Sequence, residues 1–263
     1  MIPALLGLAV GLILALTGAG GGILAVPLLV FGTGIGVAQA GPIGLLAVGM
    51  AATLGAILGL RAGQVRYRAA LLVAAAGMLL APAGLWAARL ADARWLGLLF
   101  ALTLLYVAAR TWRQAALPVP GQSAAAPVCL RGEQTGRFVW TRPCARALGL
   151  SGALAGFLSG LLGVGGGFVM VPALQRYTDL PIKSAVATSL AVIAIISAAG
   201  VAASAAQGGI EWSMAVPFAG GALAGMLGGR SLAARLAGPA LQKAFAAVSA
   251  LVAAGMIAKA LLD

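Results

Sequence analysis

The chain alternates long apolar runs with short polar turns. Runs long enough to cross a bilayer, about 20 residues each, cover 36–60, 69–88, 184–206, 212–229 and 239–258, and a shorter one covers 93–109. Two further apolar stretches, about 2–33 and 147–175, are each interrupted by glycine. The first carries Gly18-Ala19-Gly20-Gly21-Gly22 followed by Pro27, the second Gly163-Val164-Gly165-Gly166-Gly167 followed by Pro172, and both features recur at an offset of 145 residues. At the same offset Gly63-Gln64-Val65-Arg66-Tyr67 falls on Gly208-Gly209-Ile210-Glu211-Trp212, and with a one-residue slip Ala87-Ala88-Arg89-Leu90 falls on Ala233-Ala234-Arg235-Leu236. The pattern predicts an all-α, multi-pass membrane protein of two repeats, 1–109 and 147–263. Each repeat comprises a Gly-broken segment and three transmembrane helices. Between them, 110–146 is rich in proline, arginine and small polar residues and is too short for a folded domain.

Composition places this pattern in lipid. Of 263 residues, 62% are hydrophobic and 8% charged, with a mean hydropathy of +1.07, whereas soluble domains carry roughly 25% charged residues. The net charge of +12 would suggest nucleic acid in a soluble protein. Here it reads as basic loops at a cytoplasmic membrane face, and no nucleic-acid partner is expected. Met1-Ile2-Pro3 lacks a basic leader region and reads as the start of the first membrane segment.

Charge also orients the segments. If both broken stretches span the bilayer, ten basic residues face one side and seven the other. If both enter and return, the division becomes fourteen to three, which the positive-inside rule favours. That arrangement puts both termini outside and the linker 110–146 in the cytoplasm. The first repeat then enters from outside and the second from inside, so the repeats have inverted topology, an architecture common among secondary transporters.

Glycine costs a helix interior about 1 kcal/mol per residue relative to alanine, so each cluster unwinds its segment. Irregular backbone at membrane depth is tolerated only where protein buries it or a watery cavity borders it. The half-helix that restarts after a break presents backbone N–H groups and a dipole that favour an anion. The candidate binding residues are therefore Gly20, Gly21 and Gly22 in the first repeat and Gly165, Gly166 and Gly167 in the second. Thr188 and Ser189, in the segment after the second break, are candidate hydroxyl donors; Thr17, Gln39, Ser159 and Ser184 are weaker ones. The alternative for all these small residues is close helix packing or hydrogen bonding within their own helix.

Other chemistry is excluded by what is missing. The sequence has no histidine, and its acids, Asp92, Glu133, Asp179, Glu211 and Asp263, all fall in loops or at segment ends. No buried negative charge is on offer for a cation, and no base for a nucleophile. An enzyme, including one acting on lipid phosphate, is not expected, nor is a metal or any other cofactor. Cys129 and Cys144 both fall in the linker. Two loop cysteines make neither a metal site nor a reliable disulfide, and they read as incidental. An anion-selective channel with paired re-entrant half-helices is the alternative to a carrier. The oligomeric state is left open.

With these residues in view, the chain resembles the sulfite exporter TauE/SafE transporters. The resemblance rests on Gly163 to Gly167 with Val171-Pro172, on Ala185-Val186-Ala187-Thr188-Ser189-Leu190, on the first-half copy Gly18 to Gly22 with Val26-Pro27, and on Gly209-Ile210-Glu211-Trp212. It covers essentially the whole chain. It implies a multi-pass protein of the bacterial cell membrane that moves sulfite, an organosulfonate or a related small sulfur oxyanion; export by alternating access, driven by the membrane potential, is the expectation. The first half departs from the pattern: Pro42-Ile43-Gly44 stands where the second has Ala187-Thr188-Ser189, so any hydroxyl donors there are one-sided.

Overall fold

In lipid every backbone polar group must be satisfied within the protein, and a helix does this inside its own segment. The alanine-, leucine- and valine-rich runs accordingly form helices. A computed structural model describes residues 1–18, 20–90, 92–116, 128–130, 140–164, 166–206, 208–236 and 239–262. The described helices are α1 (Ile2–Thr17), α2 (Gly20–Thr33), α3 (Val37–Arg61), α4 (Tyr67–Leu90), α5 (Ala93–Ala116), α6 (Arg142–Leu162), α7 (Gly167–Tyr177), α8 (Ile182–Ala205), α9 (Trp212–Leu236) and α10 (Pro239–Leu262). Among the described residues, five helices are long and apolar enough to cross a membrane. Much of the 110–146 linker lies outside the described residues; α5 runs into its first part and α6 starts before its end.

The two broken stretches are helix pairs. α1 ends at Gly18 with φ 76°, and the Gly18 N–H donates to the Leu14 carbonyl oxygen at 2.8 Å. α6 ends the same way at Gly163 with φ 70°, its N–H donating to the Ser159 oxygen at 2.9 Å. This left-handed cap is open to glycine and strained for other residues. After each cap the chain doubles back. A Cβ on Gly21 would lie 2.4 Å from the Val10 oxygen, and one on Gly32 2.5 Å from Leu6 Cδ1, so α2 returns along α1. A Cβ on Gly166 would lie 2.4 Å from the Ala155 oxygen, which is the same contact moved by 145 residues.

α6 differs from its counterpart in length. It has 21 residues and is long enough by itself to cross a membrane, whereas α1 has 16. The extra turn comes from Arg142-Pro-Cys-Ala-Arg146, started by Thr141, whose side chain accepts from the Cys144 N–H. Cys144 therefore lies in a helix and not in a loop, and it is joined to Cys129 by a disulfide with Cα atoms 5.1 Å apart. The reading of these cysteines as incidental is corrected here. What makes the bond possible is a tertiary pairing: the Cys129 N–H donates to the Tyr177 oxygen at 2.8 Å, and the Asp179 N–H donates to the Cys129 oxygen at 3.4 Å. The bond thus ties the start of α6, the 128–130 segment and the end of α7 together.

Helix contacts follow stripes of glycine. α6 lies along α4: Cβ atoms on Gly152, Gly156 and Gly160 would fall 2.4, 2.0 and 2.1 Å from the carbonyl oxygens of Val73, Gly77 and Ala81. α1 lies along α9 in the same way, with Gly7 against the Phe218 oxygen and Gly225 against the Leu8 oxygen. Backbones at this separation pack closely without any side chain between them, as small-residue motifs allow in membranes. α3 and α8 occupy equivalent places in the two repeats, and they cross antiparallel. Gly49 faces Ser197, Gly59 faces Ala187, and Leu45 faces Gly200. α5 and α10 pair with each other at one side of the bundle.

Two predictions come from this packing. Gly156→Leu places a side chain inside the Gly77 carbonyl; overpacking costs about 1–3 kcal/mol where a core can adjust, and backbone cannot. Loss of monodisperse protein on size exclusion in detergent is expected, and a wild-type elution profile and thermal midpoint would refute the contact. Replacing both cysteines by serine removes a cross-link between positions 15 residues apart in sequence, worth up to about 3 kcal/mol in the chain-entropy account. A lower thermal midpoint is expected, together with a Cys129–Cys144 linked peptide in non-reducing digests of the wild type.

Candidate functional site

The two glycine breaks meet inside the bundle. A Cβ on Gly22 would lie 2.8 Å from the Val164 oxygen, one on Gly163 2.5 Å from Gly41 Cα, and one on Gly18 2.4 Å from Val186 Cγ1. Each break is therefore walled by the other repeat. Apolar side chains complete the wall: Ile23, Leu24, Leu162, Val164 and Phe168 belong to one buried cluster.

A cavity of about 870 Å³ reaches this region. Its inner end is formed by Thr17, Gly20, Phe168, Val186 and Phe245, its walls by α5 and α6, and its other end by Gln175, Arg176 and Tyr177 of α7 with Tyr106 and Arg110 of α5. Among the described residues no acidic side chain lines it. Arg110 donates from Nη1 to the Tyr106 hydroxyl at 3.3 Å, and its Nε is shielded with no hydrogen-bond partner. The Arg176 guanidinium sits 5.9 Å from the centre of the Tyr177 ring, within cation–π range.

The candidate residues divide. Gly20 lines the cavity, and its N–H donates to Thr17 Oγ1 at 2.9 Å. Gly21, Gly22 and Gly167 are buried and do not line it. Gly166 precedes α7 with φ 65°, again the left-handed region, and is packed on Ala155. Gly165 lies outside the described residues. Thr188 is 1% exposed, and its Oγ1 accepts the Arg66 backbone N–H at 3.1 Å. Ser189 is fully buried and donates to the Val186 oxygen at 2.8 Å, with the Gly18 oxygen at 3.5 Å. Both hydroxyls therefore fasten α8 to neighbouring backbone, and neither lines the cavity. Of the weaker candidates, Thr17 lines it, whereas Ser159 and Ser184 are buried elsewhere and Gln39 is exposed.

Sequence reasoning missed Arg110 and Arg176. One was assigned to the linker and the other to a loop, because apolar-run boundaries stop at the first charge. The available signal was spacing: Arg110 follows Tyr106 by one helical turn, and Gln175-Arg176-Tyr177 closes a half-helix that begins at a break.

The place of this chain among known proteins follows. A helical membrane bundle with two glycine-broken helix pairs and a basic cavity defines a membrane transport protein. The sulfite exporter TauE/SafE family profile matches residues 3–256, and the chain belongs to that family. A probable membrane transporter protein of Xylella fastidiosa (strain 9a5c) is 33% identical over 228 residues, covering 86% of this chain and 82% of the relative. The probable membrane transporter protein YunE of Bacillus subtilis is 41% identical over 69 residues, 26% of this chain and 25% of its own. Probable membrane transporter protein MJ0441 of Methanocaldococcus jannaschii is 49% identical over 51 residues, 19% of each chain. No solved structure gives a significant match.

The Thr188 geometry is testable. Thr188→Val leaves the Arg66 N–H without its acceptor, a loss of about 1–3 kcal/mol for a buried group. A lower thermal midpoint is expected with unchanged anion affinity in the folded fraction. A selective loss of affinity at wild-type stability would return Thr188 to the binding site.

Proposed function

We propose that the chain is a secondary transporter that exports a small oxyanion, such as sulfite or an organosulfonate, across the bacterial cell membrane by alternating access. The observation that carries this is a difference between the two half-sites at the glycine breaks. On one side the cavity lies between α5 and α7, lined by Tyr106 and Arg110 of the one and Gln175 and Arg176 of the other. At the equivalent place in the other repeat, Phe31 of α2 closes on α10, 3.4 Å from where a Cβ on Gly255 would lie. A cavity separates α5 from α7, whereas the equivalent α2 and α10 touch through Phe31, itself 48% exposed; this inequality of the two half-sites supports a carrier over a symmetric open pore.

Several features support the details. Equivalent helices α3 and α8 cross antiparallel, as inverted repeats would arrange them. The doubling back of α1–α2 and α6–α7 fits re-entrant pairs, and the charge bias supports termini outside with the Arg110–Arg176 end in the cytoplasm; on that side the Cys129–Cys144 disulfide would meet reducing thiols, so the redox state of this bond in cells tests the orientation. The anion rests at the inner end beside the α2 N-terminus, drawn by the positive end of the helix dipole and not by the local donors, since the Gly20 N–H donates to Thr17 Oγ1 and the Thr17 hydroxyl donates to the Ile13 oxygen. Outward movement of negative charge is favoured by the membrane potential at about 2.3 kcal/mol per charge per 100 mV.

Radiolabelled sulfite and methanesulfonate flux in proteoliposomes tests the proposal, with wild type beside Gly20→Val. A Cβ at Gly20 meets the Phe245 ring at 2.6 Å and Thr17 Oγ1 at 2.7 Å, side chains and not backbone, so valine fills the inner end of the cavity, and flux is read only from protein whose elution profile and thermal midpoint match wild type. Saturable flux reduced at least ten-fold in the variant is expected. Flux that never saturates would favour a channel, and unchanged flux in Gly20→Val would move the site elsewhere. Gly166 is a poorer probe: its positive φ and its contact with the Ala155 backbone make any substitution a folding defect first.

A further inference from the structure

We propose that Arg110 and Arg176 form an anion-dependent gate, so that the mouth of the cavity closes only with an anionic group held between the two guanidiniums. This rests on the alternating-access reading above and assigns the coupling to named residues.

The repeat relation identifies the gate. At the 145-residue offset, Arg176 of α7 stands where α2 has Phe31. With the one-residue slip that relates the later segments, Arg110 of α5 stands where α10 has Met256, the neighbour of Gly255. On the closed side these places hold Phe31 against Gly255, next to a Met256 that is 5% exposed. Apolar groups can close on each other with nothing between them. On the open side the same two places hold cations.

Turnover brings the open side to the arrangement of the closed one, which sets Arg176 upon the α5 turn that carries Arg110. Two guanidiniums brought into contact repel, and more so as closure removes water from the exposed Arg176; among the described residues no carboxylate lines the cavity to offset them. A sulfonate or sulfite between them removes the obstacle, because guanidinium forks bind oxyanions through paired N–H donors. One donor is unspent: the shielded Arg110 Nε has no hydrogen-bond partner among the described residues, and a turn of the side chain away from Tyr106 would present it to an oxyanion. Each arginine contacts an aromatic of its own helix, Arg110 the Tyr106 hydroxyl and Arg176 the Tyr177 ring.

An empty carrier should therefore close slowly at this mouth, and the protein should exchange anions far faster than it releases them into anion-free buffer. The test compares sulfite–sulfite exchange with net sulfite efflux in proteoliposomes, with potassium and valinomycin holding the potential. For wild type, exchange is expected to exceed net efflux at least ten-fold. Arg176→Phe, which copies the closed side, and Arg110→Gln are each expected to raise the ratio of net efflux to exchange at least ten-fold. Arg176→Lys keeps the charge and is expected to keep the low ratio. The ratio is normalised to each variant's own exchange, so weaker binding alone does not move it, and the second position covers a variant that fails to fold. Equal exchange and net efflux in wild type would overturn the gate, as would an unchanged ratio in both neutral variants. Absence of saturable flux in wild type would instead remove the transporter reading and the gate with it.

Discussion

Lipid supplies no hydrogen bonds, so a chain that interrupts its helices at depth must hide the interruption inside protein. The rest of this structure answers to that constraint. Gly18 and Gly163 cap their helices by turning the N–H back to Leu14 and Ser159, and each cap is then covered by the opposite repeat. Covering them requires helices to meet at backbone distance. That is why glycine stripes run where α6 meets α4 and where α1 meets α9, and why the equivalent helices α3 and α8 cross over Gly49, Gly59 and Gly200. The stripes and the breaks form one device: the stripes set the depth at which the breaks meet.

The two repeats share this device and differ in what they place around it. Ser189 reaches toward the Gly18 carbonyl, whereas its counterpart, Gly44, lies near the Gly163 oxygen with no hydroxyl to offer. Thr188 holds the Arg66 N–H, and its counterpart is Ile43. Phe31 faces Gly255 on one side, while arginines occupy the related places on the other. In the alternating-access reading proposed above, a symmetric scaffold with asymmetric side chains would favour one of two related conformations, because the contacts that close one mouth would not be those that close the other.

Much of this was legible from one sequence because the dominant signals are local. Apolar run lengths marked the helices, and the 145-residue offset matched the breaks and the turns after them. The helical class and the family stand. Three things were not legible, each for a tertiary reason. The Cys129–Cys144 bond depends on residue 129 pairing with backbone at 177 and 179, which no cysteine spacing encodes. The roles of Thr188 and Ser189 depend on which backbone groups lie opposite. The arginines were hidden by the rule that found the helices: a charge that ends an apolar run reads as a boundary, yet α5 continues past Arg110 to Ala116.

Cavity size and charge placement bear on how an anion could reach the breaks. A volume of about 870 Å³ is well above what a single small oxyanion fills, since a water's share of liquid volume is about 30 Å³. In the proposed mechanism the anion therefore enters with part of its water, and the full dehydration cost is not met at the mouth. Guanidiniums suit that stage: they are more weakly hydrated than ammonium groups and hold an oxyanion through several donors. The inner end is different. Its lining is mostly apolar, with Phe168, Val186 and Phe245, and its polar elements are Thr17 and the start of α2. An anion passing inward exchanges two full charges for a helix end worth roughly half a charge. That descent keeps the substrate from being trapped at the breaks, because a site with full positive charge at that depth would hold the anion too tightly to release it.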